Sequence, residues 1–271
     1  MILVIVGRTG TGKTRLSALL EERGFIVAKT HATRPPRTPD EDSHYFISKE
    51  EADAFDPQQK AAVTVINGYE YFTAKAELNR CDIIVLDPSG ITDLCQRNPD
   101  LTVHTVYLSA DDIERKFNAV KRADDKIKEE MVFDSRDEAE DKQFSAFEDV
   151  LKDHKVAEVY PQCTCVMEYH NEFSESDMDQ YADFLAYHVR EHRRLTHIID
   201  ECMDLGIIRR DETTGNPIVV MQDLSQKVVS LDYFADMINN DDTSALGTLF
   251  RNYVGLSDRF KDCDTKVKKD A

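Results

Sequence analysis

"MILVIVGRTGTGKTRLSALLEERG", residues 1–24, decides the fold of this chain. "ILVIV" is a short unbroken apolar run, the composition of a strand buried on both faces. It runs directly into "GRTGTGKT", residues 7–14, which fits G-x-x-x-x-G-K-[ST] with Gly7, Gly12, Lys13 and Thr14 at the fixed places. "KTRLSALLEER" then sets Leu16, Leu19 and Leu20 at helical spacing, and Gly24 ends the helix. Glycines permit positive φ, so consecutive backbone N–H groups can converge on phosphate oxygens. The following helix adds the partial positive charge of its N-terminus. The stretch therefore predicts a nucleoside triphosphate site, with Gly7, Arg8, Thr9, Gly10, Thr11, Gly12, Lys13 and Thr14 binding ATP. Lys13 is expected to reach the β- and γ-phosphates, and the Thr14 hydroxyl to ligate Mg2+.

Composition narrows the partners. With 271 residues the chain suits one large domain, or a domain with an appendage. Hydrophobic residues make up 41% and charged residues 32%, which fits a protein with a core and a solvated surface. No stretch approaches the ~20 apolar residues that cross a bilayer, and the apolar start is too short for a signal peptide. The formal charge of -18 argues against nucleic acid and anionic membranes as partners, because phosphate backbones attract basic surfaces. Small phosphorylated ligands need only a few local cations. Cys81, Cys95, Cys163, Cys165, Cys202 and Cys263 show no framework spacing, as expected of reduced thiols in a cytoplasmic protein.

Residues 1 to about 153 alternate strand and helix signals, the pattern of a parallel sheet with crossovers. "FIVAK", "DIIVLD" and "VHTVYLS" are further strands, and "ADDIERKFNAV" a helix opened by acids. "FIVAK" is expected beside the phosphate-loop strand. "HYFIS", "AAVTVI" and "YEYFT" read as a small mixed sheet inserted within residues 31–74, and "CTCVMEYH" as the last strand of the main sheet. After residue 154 the character changes: a long helix from about 174, a hairpin at 207–221, then further helices. Helix plus hairpin has the outline of a winged helix, but the usual DNA role of that module wants more positive charge. Asp87 ends "DIIVLD", where an acid faces the ligand crevice of a parallel sheet.

"THATRPPRTPDEDSHYF", residues 30–46, carries Arg34 and Arg37 around Pro35 and Pro36. The prolines limit the loop's freedom, and guanidinium forks bind phosphate bidentately. The other reading is local: both arginines neutralise Asp40, Glu41 and Asp42.

The order of strand, G-x-x-x-x-G-K-T, "ATRPPRTPDEDSHYFIS", "GYEYFT" and "IIVLD" resembles the guanylate kinase family over about residues 1–153. That resemblance implies a P-loop kinase fold of three layers. Its parts are a five-stranded parallel sheet, a small inserted acceptor-binding subdomain (about 31–74) and a lid (about 121–136). The first domain would end near 173, and residues 174–271 would form a mostly helical C-terminal appendage. It further implies that Arg34 and Arg37 bind an acceptor's phosphate with Tyr71, and that Thr73 approaches the base. Asp87 matches the first acid of the family's strand end. Arg122 in the lid and Arg136 on the next helix would join Lys13 in catalysis. His44 stands at the family's tyrosine position, Phe72 at its glycine and Ser89 at its second acid. No acid lies between Asp56 and Glu70, where the family reads guanine.

The expected activity is transfer from ATP, with Mg2+, to a small phosphorylated acceptor, foremost a nucleoside monophosphate such as GMP or dGMP. "DEDSHYFIS" also resembles part of the ribose 1,5-bisphosphate phosphokinases, and a non-catalytic guanylate-kinase-like interaction module is a third reading. "HVREH" fits the inverted zinc-protease pattern, with His188 and His192 four apart. Arg190, Arg193 and Arg194 crowd it with positive charge, so a solvated helix face is expected instead.

Overall fold

Strand β1 (Ile2–Gly7) is buried along its whole length, and α1 (Lys13–Glu22) follows it. These belong to a computed structural model that describes residues 1–36, 38–121, 126–153, 155–204, 209–211, 217–220 and 226–228. The chain divides into two compact units, Met1–Ala186 and Tyr187–Ala271.

The main sheet of the first unit contains β1, β6 (Ile83–Val85), β7 (Val103–Ser109) and β8 (Cys163–His170), in the order β6-β1-β7-β8. Every pairing is parallel. The sheet has four strands where five were expected. "FIVAK" contributes only a single parallel bridge, Val27 to Ile83. The reason lies in its hydrogen bonds. The Ile26 carbonyl accepts from both Asp82 N (2.8 Å) and Ile83 N (3.1 Å), while the Ile26 amide donates to the Asp82 carboxylate rather than to a ladder. The stretch also lies beside β6 and not beside β1, whose two edges are filled by β6 and β7.

The core forms where β1 side chains meet two helices. Ile2, Val4 and Val6 pack with Ile91 and Leu94 of α4 (Pro88–Arg97) and with Phe144, Phe147 and Leu151 of α6 (Lys126–Lys152). Leu3 and Ile5, on the other face, are equally buried, as are Leu16, Leu19 and Leu20 of α1. A strand covered on both faces needs apolar residues throughout, which explains the unbroken run. Each such side chain contributes roughly 1.5–3 kcal/mol on burial.

A second sheet is built within the expected insert. Its strands are β2 (Thr30–Ala32), β3 (His44–Phe46), β4 (Lys60–Ile66) and β5 (Tyr69–Ala74), ordered β3-β2-β5-β4. Between them α2 (Lys49–Ala54) opens with a capping box in which Ser48 and Glu51 satisfy each other's backbone amides. After β5 comes α3 (Lys75–Arg80), and after β7 comes α5 (Asp112–Lys121); α7 (Val156–Val159) precedes β8. Helix α8 (Glu175–Asp204) starts in the first unit and continues in the second. In the second unit, β9 (Arg209–Arg210), β10 (Pro217–Val220) and β11 (Gln226–Val228) pair antiparallel in the order β11-β10-β9. The helices expected after them lie outside the described residues. Among the described residues, no helix is long and apolar enough to cross a membrane.

Candidate functional site

The glycine-rich loop sits where the sheet changes direction. From β1 the chain leaves toward the β6 edge, and from β7 toward β8. Ligands of open parallel sheets bind outside the carboxyl ends of strands at such a point. The loop's shape follows from its sequence. Gly12 has φ 100°, a left-handed conformation, and a Cβ there would lie 2.6 Å from Asn171 Nδ2. Gly10 also has positive φ, and its Cβ would lie 2.6 Å from the Arg115 carbonyl. Only glycine fits either place.

Two features suit the loop to an anion. Among the described residues no side chain caps the N-terminus of α1, and its first turn carries no acid. The leading N–H groups of a helix have no intrahelical acceptor, so an anion is the natural complement. Lys13 is held over the loop by bonds from Nζ to the carbonyls of Gly7 (2.6 Å) and Arg8 (2.8 Å). Thr14 is exposed in the first turn of α1. The cradle, the lysine and the hydroxyl together fit a Mg2+-bound polyphosphate.

Helix α6 grips the same loop. The Glu140 carboxylate accepts from Thr9 N (3.0 Å) and Thr9 Oγ1 (2.7 Å). Arg8 donates to Asp141 (2.9 Å) and Glu148 (3.1 Å), and its guanidinium lies 5.4 Å from the centre of the Phe144 ring. Positions 137, 140, 141, 144 and 148 recur at helical spacing, so these groups share one stripe of α6. Burial opposes the charge of Arg8, yet the bonds to Glu148 and Asp141 outweigh it and raise its pKa above the ordinary arginine value. Tyr107 donates to Glu148 (2.5 Å), and burial followed by that carboxylate pushes the phenol's pKa up. Arg115 closes the other side. It is 1% exposed and donates to the Thr9 carbonyl (2.9 Å), to Asp137 (2.9 Å) and to Asp112 (2.7 Å). Thr11 is buried, and its carbonyl accepts from Asn171 Nδ2 at 2.8 Å.

The register of the insert places the other expected residues on one face. Thr30 pairs with His44 and Ala32 with Phe46; Ala32 also pairs with Tyr71, Tyr71 with Thr64, and Thr73 with Ala62. Side chains alternate along a strand, so His44, Tyr71, Thr73, Thr64 and Ala62 face the same way. His44 Nδ1 is 2.6 Å from Thr30 Oγ1, and its ring meets Tyr71 edge-on at 5.6 Å. Arg34 is buried, with Nη1 and Nη2 on the two oxygens of Glu41 (2.9 and 2.6 Å) and its guanidinium 4.9 Å from the centre of the Phe46 ring. Burial opposes its charge, but Glu41 and Tyr71 raise its pKa overall. Local neutralisation by Glu41 is thus the pairing seen for Arg34 here. Its Nε and the Thr73 hydroxyl are buried and have no hydrogen-bond partner among the described residues.

Asp87 caps α4: Oδ1 accepts from Gly90 N (2.6 Å) and Ser89 Oγ (3.0 Å), and Oδ2 from Thr64 Oγ1 (2.7 Å). Thr64 ties the insert face to this cap. Arg37 and Arg122 lie outside the described residues, as does the side chain of Arg136, whose backbone belongs to α6. On α8, His192 is pushed down to about 4, chiefly by burial, with His188 and Arg193 adding to the effect.

Sequence reasoning missed Glu140, Arg115 and Asn171. Glu140 and Arg115 sit inside helices among many other charges, with no local signal. Asn171 had one: it directly follows the strand "CTCVMEYH", at the carboxyl edge where ligands bind.

No family model matches the chain, and no curated protein matches it. Among solved structures it is similar to a guanylate kinase from Anaplasma phagocytophilum, at 16% identity and a TM-score of 0.43. That alignment covers 71% of this chain and 85% of the other. It is also similar to an uncharacterized protein from Eubacterium ventriosum, at 13% identity and a TM-score of 0.28, over 69% of this chain and 97% of that one. Likenesses this distant do not bear on the chemistry.

Proposed function

We propose that the chain is a phosphotransferase that passes the γ-phosphoryl group of ATP to a small phosphorylated acceptor, a nucleoside monophosphate such as GMP or dGMP. The observation that carries this is the loop Gly7–Thr14, set at the carboxyl end of β1 against an uncapped helix N-terminus, with Lys13 over it. Loop amides and the N-terminus of α1 hold the donor's phosphates, and Lys13 moves from the loop carbonyls onto the β- and γ-oxygens. Thr14 would hold Mg2+, which would offset the charge of the donor's phosphates. An acceptor phosphate oxygen attacks the γ-phosphorus, the bond to the bridging oxygen breaks, and ADP leaves.

The acceptor's phosphate is assigned to Arg34, Arg37, Tyr71 and His44, and its remaining part to Thr73 and the Thr64–Asp87–Ser89 group. Arg122 and Arg136 are assigned to charge developing on the transferred group. Ala62 occupies the insert face beside Thr73, and no carboxylate reaches that position from β4. A site without a base-reading acid rejects the wrong base only weakly.

Millimolar Mg·ATP should raise the melting temperature, with a stabilisation of about 2.7 kcal/mol at a hundred times Kd. Lys13→Ala should abolish that rise. ADP release measured with GMP, dGMP, AMP, pyrimidine monophosphates and ribose bisphosphate should show turnover with several monophosphates. No shift with Mg·ATP, or no turnover with any acceptor, would sink the reading. Turnover with ribose bisphosphate alone would replace the nucleotide acceptor with a sugar phosphate.

A further inference from the structure

Glu140 holds a position that none of the assigned roles explains. The residue is 9% exposed, and its carboxylate accepts from both the amide and the hydroxyl of Thr9, the third residue of the phosphate loop. An ion taken out of water needs such compensation, and both oxygens have it. One N–H cannot serve two anions at full strength, so a phosphate oxygen seeking the Thr9 amide must compete with Glu140.

The surroundings add to the conflict. Asp137 and Asp141 flank Glu140 on the same stripe of α6, and Glu148 lies two turns further on, all held against the loop through Arg115 and Arg8. A mere structural pin would need an acceptor oxygen there and no charge. A full negative charge beside a polyphosphate cradle favours the empty loop over the filled one.

Resting on the reading of the loop as a polyphosphate site, we propose that Glu140 is an internal counter-anion. It occupies the Thr9 donors in the unliganded chain and must leave them when phosphate binds, so filling the loop is coupled to release of α6 from Thr9. The affinity of the loop for a polyphosphate is then reduced by the fraction of time that Glu140 holds it.

The test is calorimetric titration of the full chain with Mg2+-tripolyphosphate and with Mg·ATP, in wild type, Glu140→Gln and Glu140→Ala. Melting curves without ligand check that each variant folds. Glu140→Gln keeps an acceptor oxygen and removes the charge, so tripolyphosphate should bind on the order of tenfold tighter, the size of one charge-assisted hydrogen bond. Hydrogen exchange in α6 should rise when the wild type is saturated. Equal or weaker binding in both variants would overturn the proposal and make Glu140 a pin. Tighter tripolyphosphate binding without phosphoryl transfer from ATP would leave Glu140 in place and remove the phosphotransferase. Transfer from ATP without any gain in Glu140→Gln would do the reverse. No binding of either anion in any form would end both.

Discussion

Arg115 offers the sharpest check on how the loop is built. Its side chain is almost completely buried, and its guanidinium joins the Thr9 carbonyl to acids of α5 and α6. Arg115→Met keeps an unbranched apolar stem and removes the fork, together with the guanidinium's approach to the Phe133 ring. The bonds do not weigh equally. Asp112 is 85% exposed, so its pair is screened and is worth about 0–1 kcal/mol. Asp137 is 33% exposed and is discounted in the same way. The Thr9 carbonyl loses a charged hydrogen bond of ~1.5–3 kcal/mol and is left with a desolvated oxygen. Relief of the arginine's own burial offsets part of this, which leaves a net loss of about 2–3 kcal/mol. For a chain of this length that corresponds to roughly 4–12 °C in melting temperature. The chain has no tryptophan, so far-UV circular dichroism in urea is the suitable probe. The midpoint should fall with the slope unchanged, and the amides of residues 8–11 should exchange faster. A loss under about 0.5 kcal/mol would refute the reasoning, because a buried fork that can be deleted freely is not holding the loop.

Arg34→Ala should raise KM for the acceptor by roughly tenfold to a hundredfold, the size of a lost charge-assisted bond, with KM for ATP nearly unchanged; steady-state titration of each substrate checks it, and equal effects on both would remove Arg34 from the acceptor site. His31 gives a pH signature. Burial, helped by Lys60, holds its pKa below the ordinary 6.5, against the opposing pull of Glu77. The folded chain thus takes up the proton less readily than the unfolded one, so its contribution is complete above about 6.5 and is lost as pH falls below it. Urea midpoints from pH 7.5 to 5 should decline in wild type and flatten in His31→Phe, which keeps the stacking on Phe72; parallel declines would show that other groups set the slope.

What was legible in the sequence was legible because its physics is local. The loop Gly7–Thr14 is contiguous, and its glycines are demanded by φ and by close neighbours a few residues wide. The insert strands announced themselves by alternation, and their register then placed His44, Tyr71 and Thr73 on one face. Asp87 carried a readable signal that pointed elsewhere. Asp-Pro-Ser-Gly is an N-cap followed by proline at the first helical position, and the cap is what occupies its carboxylate. The capping turn also explains why "DIIVLD" pairs only through Val85. The weak fifth strand failed for a reason no pattern shows: the Ile26 amide is taken by a side chain from residue 82.

The contacts that shape the loop from outside were not legible, since Glu140, Arg115 and Asn171 lie 131, 106 and 160 residues from their partners. Nothing in a run such as "RDEAEDKQFSAFED" says which acid meets the loop. The packing decides it. Phe144 and Phe147 bury that part of α6 against the sheet, and this fixes which stripe turns toward the loop. The same step resolves how a chain of charge -18 can keep an anion site. Asp137, Asp141 and Glu148 are each bonded to Arg115 or Arg8, so a guanidinium meets their charge. Glu140 is met instead by the neutral amide and hydroxyl of Thr9. The repulsion an incoming phosphate feels is therefore concentrated on the carboxylate that must move, and on this geometry its removal, rather than a general reduction of negative charge, is what would open the loop.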